Sequence, residues 1–148
     1  MTHFLLASAL VAAAASAGGP IEHQARIDHP TGAVDAQYRG NVTIAHEQVG
    51  AVGPGGRAST LGCVWRANIA VVRDARHPSG TLLTRAIERP GAIEGRRAGW
   101  CSTHRAAIAR EVAGRRDELR GHVIDVAQED HHLLRSDIDR VHGDSRAG

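Results

Sequence analysis

Between Leu61 and Val72 every second residue is apolar. Cys63, Trp65, Ala67, Ile69 and Val71 share one parity, while Arg66 and Asn68 hold the other. Successive side chains of a strand point to opposite faces, so this spacing predicts a strand with one buried face and one face at least partly wet. Weaker alternations surround it. Ile21–His29 carries Ile21, Ala25 and Ile27; Ala33–Tyr38 carries Val34, Ala36 and Tyr38; Val42–Val49 carries Val42, Ile44 and His46; and Thr81–Glu88 sets Leu83 and Ile87 against Leu82 and Ala86. Turn signals separate these runs: His29-Pro30-Thr31-Gly32, Arg39-Gly40-Asn41 as a turn or bulge, the glycine-rich stretch from Gly50 to Gly56, His77-Pro78-Ser79-Gly80 and Pro90-Gly91. Four or five short strands joined by turns, with no helical period between them, predict an antiparallel β-meander over about residues 24–94.

The period changes after Cys101. Ser102 or Thr103 can cap a helix. Ile108, Val112, Leu119, Val123 and Val126 then follow at spacings of four, seven, four and three, which is one helical face. Gly114 and Gly121 each weaken that helix by about 1 kcal/mol relative to Ala. The pattern therefore predicts one long helix over 103–128, bent at Gly114. A shorter one over 131–142 carries Leu134, Ile138 and Val141, and the last residues fray. Sheet followed by helices at about 102–142 is an α+β fold, with the apolar helical stripe packed on the sheet. A homodimer seam is the other use of such a stripe.

The first seventeen residues stand apart. Residues 4–15 are almost wholly apolar, and Ala15-Ser16-Ala17 fits the small-x-small cleavage pattern of a secretory signal. The run is about twelve residues, short of the roughly twenty that span a bilayer. The leader departs from the pattern in having no Lys or Arg before the apolar run. This gives a signal peptide over 1–17, a single domain over 18–148 and a periplasmic or secreted destination, with no later stretch apolar enough to cross a membrane.

Export bears on stability. Without the leader the chain has no Phe and no Met, and its aromatic anchors are Tyr38, Trp65 and Trp100. Such a lean core benefits from a covalent staple. Cys63 and Cys101 are the two cysteines, lack the CxxC spacing of reactive pairs, and would pair in an oxidising compartment. Closing a loop of about 39 residues is worth roughly 4 kcal/mol in the chain-entropy model. Both tryptophans are expected to pack near the bridge.

Every basic residue is Arg, which together with abundant Ala and Gly suits a high-GC bacterial coding bias. The absence of Lys excludes a P-loop lysine, a Schiff base and a Ser–Lys dyad. The net charge of +2 hides an asymmetry: thirteen Arg face six acids from Arg57 to Arg120, and three Arg face six acids from Gly121 onward. The basic segment suits an anionic partner, and charge complementarity within the fold is the plainer use.

Candidate chemistry is thin. His46-Glu47 begins like a zincin motif but lacks the second His and sits on a strand. His131 and His132 are adjacent, so on a helix they diverge by about 100°. Glu118, His122, Asp125 and Glu129 share one helical side and could present divalent-metal ligands, although such ladders are usually solvated. Ser59, Ser79, Ser102, Ser136 and Ser145 lie in no GxSxG context. The glycine-rich stretch joins two strands, so it reads as a hairpin connection and not a phosphate cradle. No motif calls for a cofactor, a metal or a catalytic residue. The leading expectation is a noncatalytic exported module that binds a protein partner or an anionic envelope component. The alternative is a small periplasmic hydrolase or metal-dependent enzyme, with a site assembled from scattered polar residues.

Overall fold

The computed structural model describes residues 18–147, so the leader expectation lies outside the described residues. Four strands, β1 (Ile21–Ile27), β2 (Val34–Val49), β3 (Gly62–Arg76) and β4 (Leu82–Ala98), precede two helices, α1 (Cys101–Gly114) and α2 (Arg116–Ala147). The sheet order is β1-β2-β3-β4 and every pairing is antiparallel, which is the α+β meander the alternation predicts.

The parity of β3 sets the layering. Cys63, Trp65, Ala67, Ile69 and Val71 are each at most 1% exposed and face the helices. Ile108 and Val112 of α1, and Leu119, Val123, Val126, Leu134 and Ile138 of α2, complete the core. The other sheet face carries Arg26, Asp35, Arg39, Arg66 and Arg76 and meets solvent. The two tryptophans part company: Trp65 is buried, as expected, whereas Trp100 is 53% exposed.

Two glycines permit the packing. Gly40 lies inside β2, on its helix-facing side, where a Cβ would come within 2.7 Å of Val123 Cγ2 and 3.1 Å of Ile69 Cγ2. Arg39-Gly40-Asn41 is thus neither turn nor bulge, since its pairing with β3 runs on without a register shift; Gly40 lets α2 approach the sheet, a recurrent use of strand glycine. Gly95 sits opposite Trp65, and a Cβ there would lie 2.5 Å from the indole.

Pro90-Gly91 does not end β4. The strand continues to Ala98 through a register shift opposite Ala67–Ile69. Proline survives because β4 is an edge strand and its missing donor breaks no ladder bond. Gly91, at φ +63°, donates its N–H to Asn68 Oδ1 at 2.8 Å, so the wet-face asparagine answers the bulge.

The helices divide differently from the expected 103–128 and 131–142. The chain breaks at Gly114-Arg115, and α2 then runs for 32 residues. Asp117 and Glu118 occupy its first turn, where carboxylates complement the helix dipole. The stripe reads as interrupted after Val126 because Asp130 is acidic, yet Asp130 is 2% exposed and faces the core with Val126 and Leu134. Neither Ser102 nor Thr103 caps α1: Trp100 is the N-cap and makes no side-chain cap bond. Gln48, from the end of β2, instead accepts the Cys101 N–H at 2.8 Å and donates to the carbonyls of Gly62 and Gly99 at 2.8 and 3.2 Å. Among the described residues no helix is long and apolar enough to cross a membrane.

Candidate functional site

The largest concentration of buried charge lies where β2 and β3 meet α2. Continuing the β3 parity two residues past Val71 puts Arg73 on the core face, opposite Tyr38 of β2. Asp130 of α2 descends onto both. Arg73 Nη1 donates to Asp130 Oδ2 at 2.8 Å, the Tyr38 hydroxyl donates to the same oxygen at 3.1 Å, and Arg73 Nη2 donates to Asp137 Oδ2 at 2.8 Å. Burial and the negative Asp130 raise the Tyr38 phenol well above its ordinary value. Burial alone would lower the Arg73 pKa, but the hydrogen bonds to Asp137 and Asp130 outweigh it and the net direction is upward. A buried pair adds little net stability, but removing one partner typically costs about 3–5 kcal/mol because the survivor is left uncompensated. The cluster therefore fixes how α2 sits on the sheet.

Asp130 also reaches the edge of the core. A cleft of about 260 Å³ opens between β4 and α2 beside it, with Arg85, Arg89 and Glu129 at its rim and Ile87, Val126 and Leu133 as its apolar wall. Arg89 is ion-paired with Glu129. A larger depression of about 560 Å³ lies on the open sheet face between Gln24, Asp35, Asp74 and Arg76. Its carboxylates are engaged by guanidinium groups, Asp35 by Arg26 and Asp74 by Arg39.

The structure disperses most of the residues that the sequence singled out for chemistry. Glu118 is held by Arg115 through two hydrogen bonds of 2.8 Å, which keeps its carboxyl below the ordinary value, while Glu129 goes to Arg89. The polar side of α2 therefore offers no converging ligand set, and among the described residues no three His, Cys, Asp or Glu groups are placed to hold a metal ion. His131 and His132 are both exposed on α2, and of the two His132 lines the cleft beside Asp130. His46 lies on the helix-facing side of β2 with Nε2 buried and unpartnered; burial and the nearby Arg105 lower its pKa. The glycine-rich stretch joins β2 to β3, as a hairpin connection should.

Two other histidines shape loops. His29 and His77 open the two His-Pro-Thr/Ser-Gly turns, and in each the ring Nδ1 accepts the backbone N–H two residues on and lies 2.7 or 2.8 Å from the Thr31 or Ser79 hydroxyl. With Nδ1 accepting, the neutral rings carry their proton on Nε2. In His29 that nitrogen faces Asp139 at 2.9 Å and ties the first turn to α2.

Cys63 and Cys101 are brought together, with their sulfurs at 2.06 Å and 38 positions apart in sequence. The bridge lies at the end of the sheet where β3 begins and α1 starts. The Gly50–Leu61 connection is at the same end, because Val49 pairs with Gly62 and Gly62 with Ala98. That end exposes Trp100 and Val52, the latter 62% exposed. Arg57, Arg96 and Arg105 are exposed there as well. Neighbouring acids are already engaged, Glu47 and Glu94 by Arg66 and Glu111 by Arg97. Among the described residues, Arg57, Arg96 and Arg105 have no carboxylate partner. Sequence reasoning found the basic excess but not its meeting with Trp100, whose exposure depends on how the junction before α1 turns. No protein-family model matches this chain, and neither a curated protein nor a solved structure matches it.

Proposed function

We propose that this chain is an exported, noncatalytic binding module of the periplasm or cell exterior that docks on an anionic envelope surface through the bridged end of its sheet. One observation carries the reading: Trp100 and Val52 are exposed beside Arg57, Arg96 and Arg105, which have no carboxylate partner among the described residues. An exposed indole with guanidinium groups suits a membrane–water interface, where the ring sits among headgroups and the cations meet lipid phosphate. Ala51, beside Val52, accepts from the Thr60 N–H at 3.0 Å and donates to Thr60 Oγ1 at 3.1 Å, which holds the connection in place at that end. The cysteine pair and the apolar leader support export.

Sedimentation with lipid vesicles tests this. The protein should bind vesicles containing phosphatidylglycerol, remain free with phosphatidylcholine alone, and be released by salt as screening grows. Each juxtamembrane Arg contributes about 1 kcal/mol, so R96Q and R105Q should each weaken binding by roughly fivefold. Trp100 emission should shift to the blue on binding and W100A should bind more weakly; Trp65, already buried, changes little. Equal partition to both vesicle types, or to neither, overturns the reading, and retention of a specific protein instead would move it to a protein partner. Export has its own readout: the intact mass of protein from a bacterial periplasm should start near Gly18 and be lighter than the reduced chain by the two thiol hydrogens.

A further inference from the structure

The buried charge cluster leaves two atoms without a hydrogen bond, the donor Arg73 Nε and the acceptor Asp130 Oδ1, and of their two side chains only that of Asp130 lines a cleft. The Asp130 side chain is 1% exposed, its Oδ2 takes both core hydrogen bonds, and its Oδ1 is buried with no hydrogen-bond partner. The nearest cation on that side is Arg85, whose Nε stands at 3.6 Å, beyond hydrogen-bond range. Leaving a buried acceptor unmet is unfavourable, so such an atom marks a place where a donor is wanted. It lies at the cleft between β4 and α2, covered by Arg85, which is 42% exposed on an edge strand and has room to swing outward.

The chemistry of that cleft selects a ligand class. A lone cation would satisfy Asp130 but be repelled by Arg85. A lone anion would satisfy Arg85 but face Asp130. Arg89 and Glu129 neutralise each other at the rim. Ile87, Val126 and Leu133 supply an apolar wall, and His132 completes the lining as a further polar side chain. The volume, about 260 Å³, is near the lower end of the range for ligand pockets and suits a small molecule. We propose that this cleft binds a small zwitterion, a free amino acid with an aliphatic side chain. Its ammonium donates to Asp130 Oδ1, its carboxylate accepts from the Arg85 guanidinium after that side chain swings aside, and its side chain rests on the apolar wall. The site is separate from the envelope-docking end and does not depend on that reading.

Calorimetric titration of the purified protein with leucine, N-acetylleucine and leucinamide tests it. Leucine should bind saturably. N-acetylleucine, which lacks the ammonium, and leucinamide, which lacks the carboxylate, should each bind about tenfold or more weakly, the loss of one charged hydrogen bond. R85Q should weaken leucine to a similar degree while the far-UV circular dichroism stays that of the parent, since Arg85 lies on the edge strand and is 42% exposed. Glycine should bind more weakly than leucine for want of the apolar contact. No saturable heat with leucine, equal binding of the three compounds, or undiminished binding to R85Q would each overturn the proposal.

Discussion

Tyr38 shows how composition and burial combine in one side chain. It is the chain's single tyrosine, all its basic residues are Arg, and both cysteines are bonded. Few groups other than this phenol can titrate in the range around pH 10, because Arg stays charged far above it. Burial and Asp130 raise its pKa in the fold, whereas in the unfolded chain it ionises near its ordinary ~10. The folded state therefore holds a proton that the unfolded state releases. This contribution to stability is complete below about pH 10 and is lost as the pH rises beyond it. Absorbance at the phenolate band should stay flat in the folded protein past pH 10, rising only as the chain unfolds. A phenolate signal with a midpoint near 10 in folded protein would contradict the burial and the Asp130 bond. The site residues Arg73 and Asp130 were themselves legible in part. The β3 parity, run two residues further, reaches Arg73, and the α2 period, run four past Val126, reaches Asp130. Each looks like the end of an apolar pattern until the opposite charge is known to face it.

Elements answer to their neighbours as much as to their own propensity. Gly40 and Gly121 make the contrast. Both are unfavourable in regular structure, but a Cβ at Gly121 on α2 would meet nothing within 4 Å, whereas at Gly40 it would strike Val123 and Ile69. G121A should therefore raise stability by up to about 1 kcal/mol, through helix propensity alone. G40A should lower it by about 1–3 kcal/mol, because the sheet and α2 must separate. Urea unfolding of the two variants measures both signs, and a stabilising G40A would show that α2 does not press closely on β2. The same dependence explains the boundaries that local pattern misses. Pro90 is acceptable because β4 is an edge with Asn68 beneath the bulge, and α2 runs through Asp130 because Arg73 waits for it. Both reasons lie on other strands.

For the whole molecule the decisive tie is between the sheet and the first helix. With its sulfurs at 2.06 Å, the Cys63–Cys101 pair closes the part of the chain that holds β3 from Cys63 onward and all of β4, and ties it to the first residue of α1. The core it supports is built from Ile, Val, Leu and Ala with one tryptophan and one tyrosine. Substituting both cysteines by Ser should cost roughly 4 kcal/mol in the chain-entropy model, and for a domain of this size that lowers the melting temperature by several degrees or more. Calorimetry of C63S/C101S beside the parent checks it; an unchanged melting temperature would mean that Gln48 and the apolar core hold the α1 junction unaided.

By itself the sequence determined the features that period and composition control: an antiparallel meander, helices after it, the inward face of β3 and the pairing of two cysteines. A side-chain period is a local property of the backbone, so it survives in the one-dimensional string. The tertiary structure alone decided that α2 runs on through Asp130, why Gly40 is a glycine, that Gln48 caps α1, that Trp100 faces outward and that one Asp130 oxygen lies without a hydrogen bond at a cleft. The contacts behind them join residues far apart in the chain, Gln48 to Cys101 across 53 positions and Arg73 to Asp130 across 57. Such partners are selected by three-dimensional packing and by the need to satisfy buried polar groups, neither of which leaves a spacing in the sequence.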